Sequence, residues 1–251
     1  MKITIITASY NNAATIEDTV KSVLSQTYPN IEYIVVDGRS MDGTVDVIRK
    51  YEHGISRWVS EPDQGLYFAL NKGIEMATGD VIGFLHADDV LYDNNVISSV
   101  MDIFLTQQCQ AVYGDLVYVD RNDMNNIIRY WKSCPFQPQL LHRGWMPPHP
   151  TLFVHREMYE QFGSFNTQMR IAADYDIVLR FFKQPGFRSE YLPRVLIRMR
   201  MGGISNRSIA NILRKSKEDY KAMKNNHIGG LRSLIWKNLS KLSQLRIFRK
   251  K

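Results

Sequence analysis

Within the first 90 residues, four short apolar runs alternate with three stretches of helical periodicity. The runs are "KITIIT", "IEYIVVDG", "RWVSEP" and "DVIGFLHA". Their β-branched content marks them as strands. The second holds the continuous apolar stretch "YIVV", as in a parallel strand covered on both faces. Between them, "ATIEDTVKSVLSQ" places Ile16, Val20, Val23 and Leu24 on one helical face, and "TVDVIRKY" and "GLYFALNKGIEMA" supply two more helices. This alternation predicts an α/β fold with a mostly parallel central sheet flanked by helices. Ligands of such sheets lie outside the carboxyl ends of the strands. Those ends carry Thr7, Ser9 and Tyr10; Asp37; Glu61 and Asp63; and His86, Asp88 and Asp89. They are expected to converge on one crevice.

The second half is less regular. "AVYGDLVYVD" reads as a strand, and "CPFQPQLLHRGWMPPHP" as a long loop holding five of the nine prolines. "TLFVHREMYEQFG" reads as a strand entering a helix, "AADYDIVLRFFKQ" as a helix, and "YLPRVLIRMRMGGIS" as a strand and a glycine turn. From Ser208 onward the pattern is helical and basic.

Charge divides the chain. Residues 205–251 carry thirteen Lys/Arg against two Asp/Glu, so the overall +7 conceals a mildly acidic body and a strongly basic tail. Such a tail seeks an anionic partner. In "LRSLIWKNLSKLSQLRIFRKK", Leu231, Leu234, Ile235, Leu239, Leu242, Leu245 and Phe248 share a helical face, with seven Lys/Arg and no acid around it. This is the pattern of an interfacial helix on an anionic membrane. It predicts a tail that binds membrane from about Gly230 onward and is not needed for folding. A helix docked on the domain with a solvated basic side is the competing reading. The two cysteines, Cys109 and Cys134, have neither disulfide-framework nor zinc spacing. The opening "MKITIITASY" lacks the long apolar core of a signal peptide, and no run reaches 18 apolar residues. A cytoplasmic protein, peripheral on the inner face of the cell membrane, is expected.

The adjacent carboxylates of "HADD" suit a hard divalent cation that keeps waters and shares substrate phosphates. Taken alone, a helix-capping role serves equally well. Taken together, "TIITASYNN", "SVLSQTYPNIEYIVVDGRSMDGT", "SEPDQGLYFALNKGIEMATGDVIGFLHADD" and "AADYDIVLR" resemble the family 2 inverting glycosyltransferases of GT-A fold, closest to the single-domain members of capsule, exopolysaccharide and O-antigen assembly. The resemblance spans about residues 1–204, with motifs in the family's order.

The resemblance implies a domain of two abutting halves, 1–110 for the nucleotide sugar and 111–204 for the acceptor, followed by the basic tail at 205–251. It implies a hexosyl- or N-acetylhexosaminyltransferase that moves one sugar from a donor, UDP-linked by expectation, to a glycan or polyprenyl-linked acceptor in surface-polysaccharide synthesis. Asp37 matches the Asp that binds the base, and Ala8 and Tyr10 match the loop beneath the nucleoside. Lys72 stands where it can reach a phosphate, and Asp88 matches the Asp that binds Mn2+ or Mg2+. Asp174 matches the catalytic base, with Asp176 as the rival carboxylate. Two positions depart from the family: His86 replaces the first Asp of its D-x-D motif, and Ala173 replaces the Glu before its base. His149 and the "GGIS" turn are expected on the acceptor side.

The Q-x-x-R-W motif of processive synthases is absent, which predicts one transfer per encounter. A nucleotidyltransferase requires a Gly-rich phosphate loop after the first strand, and "ASYNNAAT" is not one. A nucleic-acid module requires basic and stacking residues on the body, which is acidic; no nucleic-acid partner is expected. The alternative kept open by His86 is a nucleotide-sugar-binding scaffold with weak or no transferase activity.

Overall fold

The computed structural model describes residues 1–202 and 209–244. Its first half runs β1 (Ile3–Ser9), α1 (Ile16–Leu24), β2 (Ile31–Asp37), α2 (Thr44–Lys50), β3 (Arg57–Ser60), α3 (Leu66–Met76), β4 (Val81–Phe84), β5 (Val90–Leu91) and α4 (Val96–Thr106). The second runs β6 (Ala111–Val119), β7 (Ile127–Trp131), α5 (Gln139–His142), β8 (Phe153–His155), α6 (Arg156–Phe162), α7 (Ala173–Phe182) and β9 (Ser189–Arg200). Two helices follow, α8 (Ile209–Asn225) and α9 (Leu231–Gln244).

One nine-stranded sheet orders these strands β3-β2-β1-β4-β8-β6-β9-β5, with β7 pairing residues 116–119 of β6 off this order. The first four strands pair in parallel, Ile3 of β1 lying opposite both Ile31 and Val81. β8 then runs antiparallel to β4 and to β6, and β9 parallel to β6. β8 thus joins the two halves into a single sheet.

Side-chain alternation along β1 and β2 separates two apolar layers. Ile3, Ile5, Tyr33 and Val35 pack with α1, α2 and α4. Ile6, Ala8, Ile34 and Val36 pack with α3, α6 and α7. The sheet is therefore covered on both faces, which is why β2 tolerates an unbroken apolar run. α3 lies close on β1 because residue 73 is glycine: a Cβ there would collide with Ile6.

Most of the predicted elements are present. β7 was not foreseen; its Ile127 and Ile128 are exposed at the sheet margin, so no buried face marks it as a strand. The proline-rich loop contains the short helix α5 and a 3-10 turn at His149–Thr151.

α8 and α9 pack on the second half. Ala222, Met223 and Ile228 join the apolar layer that holds Tyr175 and Val178 of α7. α9 turns polar side chains inward: Ser233 and Lys237 are buried, while Leu231, Ile235, Trp236 and Leu239 are exposed. The Lys237 ammonium lies 2.8 Å from the buried Asp219 carboxylate of α8 and 2.9 Å from the Tyr175 ring centroid. Leu245 and Phe248 of the expected apolar face, and residues 203–205 of the "GGIS" turn, lie outside the described residues. Among the described residues no helix is long and apolar enough to cross a membrane.

Candidate active site

The carboxyl ends of β1 and β2 carry two loops that hold one another. Asn11 N–H donates to Ser40 Oγ at 2.8 Å, Asn12 N–H to Thr44 Oγ1 at 2.8 Å, and Met41 N–H to Asn11 Oδ1 at 3.0 Å. Asp37, fully buried at the end of β2, anchors this arrangement. Its Oδ1 accepts from the hydroxyls of Ser9 (2.9 Å) and Ser40 (2.5 Å). Its Oδ2 accepts from Ser40 N–H (2.9 Å) and the Ser60 hydroxyl (2.6 Å). A carboxylate offers about four acceptor positions, so every one is taken, and a nucleobase N–H reaches this carboxylate only if a serine gives way.

Ala8 is buried and presents its backbone, whereas the Tyr10 ring is 65% exposed. Across the crevice mouth, Asp63 leans over Gly38: a Cβ on that glycine would meet Asp63 Oδ2 at 2.8 Å and Tyr10 Cδ2 at 3.2 Å. Asp63 Oδ1 takes Gly65 N–H at 2.8 Å. Lys72, on α3, is ion-paired with Glu61.

The "HADD" turn after β4 is braced from two sides. Thr15 and Thr19 of α1 donate to the carbonyls of Ala87 (2.9 Å) and Asp89 (2.7 Å). Arg200, at the end of β9, donates Nη1–H to Asp88 O at 2.9 Å, gives its backbone N–H to Asp89 Oδ1 at 3.1 Å, and pairs with Asp18 at 2.5 Å. The two carboxylates face differently. Asp89 is buried, and burial together with neighbouring Asp88 pushes its carboxyl well above the usual range. Asp88 is half-buried, and no hydrogen bond to its carboxylate is found among the described residues. That uncommitted carboxylate fits a divalent cation whose other positions are filled by water and phosphate oxygens. The described residues hold no cluster of three or more metal-ligating side chains, so the cation would depend on the donor's phosphates.

Asp174 opens α7 on the opposite wall. His149 approaches it from the 3-10 turn, Nδ1 to Oδ2 at 3.1 Å. That turn is fixed by buried Thr151, whose hydroxyl is 3.0 Å from Gly114 O and 2.8 Å from Pro148 O. Burial favours the neutral carboxyl of Asp174, but His149, Lys215, Lys237 and the Tyr175 N–H outweigh it, and the group titrates below the ordinary carboxylate value. Burial, reinforced by the nearby cations, lowers His149 to about 4. At neutral pH the pair is therefore a neutral imidazole beside an ionised Asp174. His86 stands between the walls, its ring centroid 6.1 Å from that of His149, within the fields of both Asp88 and Asp174. Asp176 faces away, bound to Arg180 at 3.0 Å and to Asn226 at 2.9 Å.

Two residues of the basic tail that motif reading passed over reach this wall. Glu218 of α8 accepts the N–H groups of Arg170 (3.2 Å), Ile171 (2.8 Å) and Ala172 (3.0 Å), fixing the chain just before Asp174. Lys237 of α9 sits against Tyr175, next to Asp174. Charge and apolar spacing on α8 and α9 carry no sign of either contact.

The family model described as glycosyl transferase family 2 matches residues 4–170. Among curated relatives, a PGL/p-HBAD biosynthesis glycosyltransferase of Mycobacterium bovis is 29% identical over 207 residues, covering 80% of this chain and 78% of the relative. An uncharacterized glycosyltransferase of Mycobacterium tuberculosis is 31% identical over 180 residues, covering 71% and 68%. Among solved structures, residues 1–349 of S. aureus TarS, in complex with UDP-GlcNAc, superpose with a TM-score of 0.70 at 15% identity, covering 90% of this chain. The chain spans 65% of that TarS structure. The mannosyltransferase PcManGT from Pyrobaculum calidifontis, in complex with GDP-Man and Mn2+, superposes with a TM-score of 0.65 at 20% identity, covering 98% of this chain and 70% of that one. At these identities the structural likeness establishes the GT-A fold, and the family match over two thirds of the sequence establishes descent: the chain is a glycosyltransferase and belongs to glycosyl transferase family 2.

Proposed function

We propose that the protein transfers a single sugar, with inversion, from a nucleotide-sugar donor, UDP-linked, to a hydroxyl of a glycan or lipid-linked saccharide in surface-polysaccharide synthesis. The observation that carries this reading is the pair of opposed carboxylates: Asp88, half-buried and uncommitted, and Asp174, held ionised beside His149. The nucleoside lies against Tyr10, on the loop that Asp37 orders, with the Asp63 carboxylate beside it. Lys72 exchanges Glu61 for a donor phosphate as a point charge. Asp88 would hold Mn2+ or Mg2+, which would supply neutralising charge for the diphosphate leaving group. Asp174 accepts the proton of the acceptor hydroxyl as its oxygen attacks the anomeric carbon from the face away from the diphosphate. The C–O bond to the diphosphate breaks and its electron pair leaves with the phosphate. His149, with Lys215, Lys237 and the Tyr175 N–H, favours the ionised form of Asp174.

Asp88→Asn is expected to weaken UDP binding in Mn2+ and leave metal-free binding little changed. Titration calorimetry giving wild-type affinity for the variant in Mn2+ would contradict the assignment.

The exposed face of α9 supports a second part of the proposal, a peripheral seat on the cytoplasmic face of an anionic membrane, where a polyprenyl-linked acceptor is presented. Leu231, Ile235, Trp236 and Leu239 enter the headgroup region, and basic residues of the tail supply about 1 kcal/mol each near an anionic surface. Flotation with phosphatidylglycerol vesicles should be lost in the Ile235→Ser/Trp236→Ser protein and should weaken as salt screens the attraction. Undiminished flotation of that variant would remove α9 as the anchor.

A further inference from the structure

Beside Asp174 the crevice continues into an apolar recess of about 50 Å3. Polar His86, His149 and Asp174 line it together with apolar Leu66, Leu70, Leu152 and Val178. A cavity holds one water at about 10–15 Å3 on this measure, so the recess has room for a methyl-bearing substituent. The Tyr67 hydroxyl on its wall is already committed to Ile171 O at 2.9 Å.

The position of the recess is informative. Leu66 and Leu70 come from α3, His86 from the end of β4, and Leu152, Asp174 and Val178 from the second half. The recess therefore opens at the junction of the halves, next to the turn that carries Asp88 and directly beside the base. On the transfer proposed above, on which this inference rests, the anomeric carbon must lie between the diphosphate at Asp88 and the acceptor hydroxyl at Asp174. The ring of the transferred sugar then covers the mouth. A hydroxyl directed toward the leucines and Val178 would lose its water without a partner. A methyl group would bury apolar surface against the leucines and Val178.

We infer that this recess is a subsite for a methyl group on the transferred sugar, so that the donor is an N-acetylated or a 6-deoxy sugar nucleotide rather than a plain hexose. The two sources of the methyl group present the same chemistry and are separated by matched donors. UDP-glucose against UDP-N-acetylglucosamine tests the acetamido methyl, and UDP-glucose against UDP-6-deoxyglucose tests the deoxy C6 methyl, each pair sharing its base and ring configuration.

The experiment measures donor turnover, kcat/KM for sugar release in Mn2+, for both pairs. One methyl-sized group in an apolar pocket is worth roughly 10–200-fold. A preference of that order for the methyl-bearing member of one pair is expected, and the pair that shows it names the source. Leu66→Trp, at a partly exposed wall where a larger side chain does not disturb the core, should push that ratio toward one while leaving the melting temperature unchanged. Equal turnover within both pairs by the wild-type protein overturns the subsite and leaves the transferase reading standing. A preference that survives Leu66→Trp at full strength also overturns it. Turnover of none of the three donors overturns the UDP-linked donor reading and the subsite with it.

Discussion

Asp174→Asn is expected to abolish most transfer, lowering kcat by about 10²–10⁴-fold, the usual contribution of a general base, while donor affinity stays near the wild-type value. The amide keeps the shape of the carboxylate and can still meet His149, but it cannot take a proton. The carboxylate titrates below its ordinary value because His149, Lys215, Lys237 and a backbone N–H outweigh its burial. The acid limb of the kcat/KM profile should therefore fall at lower pH than for an unperturbed aspartate. Substituting His149 by Ala removes its share of that stabilisation, so the limb should move to higher pH. Asp176→Asn should behave differently. Its carboxylate ties Arg180 to Asn226 inside the packing of α7 against α8, so the cost should appear in the melting temperature rather than in turnover. A dead Asp176→Asn beside an active Asp174→Asn would reverse the assignment.

Lys237→Met is expected to destabilise the protein by about 3–5 kcal/mol, the range for removing one partner of a buried ion pair. Both members are nearly inaccessible, Lys237 at 5% and Asp219 at 1%. The methionine fills the volume, but it leaves the Asp219 charge buried and takes a cation from the face of Tyr175. For a chain of this size the loss corresponds to a fall in melting temperature of about 6–20 °C. Lys237→Met/Asp219→Leu should recover much of the loss, because replacing a whole buried pair by apolar groups is often neutral or better. If Lys237→Met melts with the wild type, α9 is not anchored as described. The same contact bears on removal of the tail. A chain stopped after His227 loses Lys237 as well as the exposed stripe, so it should melt early. The expectation of a tail dispensable for folding does not follow from this packing.

The parallel first half was legible because its pairings are close in sequence and both faces of its strands are apolar, as in "IEYIVVDG". The second half was harder to read. β7 has exposed isoleucines in place of a buried face, β5 is only two residues long, and the joining strand β8 pairs with two strands that precede it by tens of residues. At the site, the motif order located the walls, because a strand end in an α/β sheet points at the crevice whatever its neighbours do. What each side chain does there depends on contacts at long range. Asp37 reads as an available carboxylate until Ser9, Ser40 and Ser60 are seen to fill it. The basic tail reads as an appendage until Glu218 is found holding the N–H groups before Asp174, and Lys237 is found beside Tyr175. The apolar stripe of α9 was visible as spacing, but spacing does not say which side meets the body. Here Ser233 on His142 O and Lys237 on Tyr175 meet the body, and of the stripe Leu234 packs against it.

The most direct test of the account is the configuration of the sugar first released when the protein hydrolyses an α-linked nucleotide sugar without acceptor. Water then replaces the acceptor hydroxyl in front of Asp174, and proton NMR distinguishes the anomers before they equilibrate. The account predicts the β-anomer first, at a rate that collapses in Asp174→Asn while UDP still binds. The α-anomer as first product, or release undiminished by that substitution, would contradict inversion with Asp174 as the base.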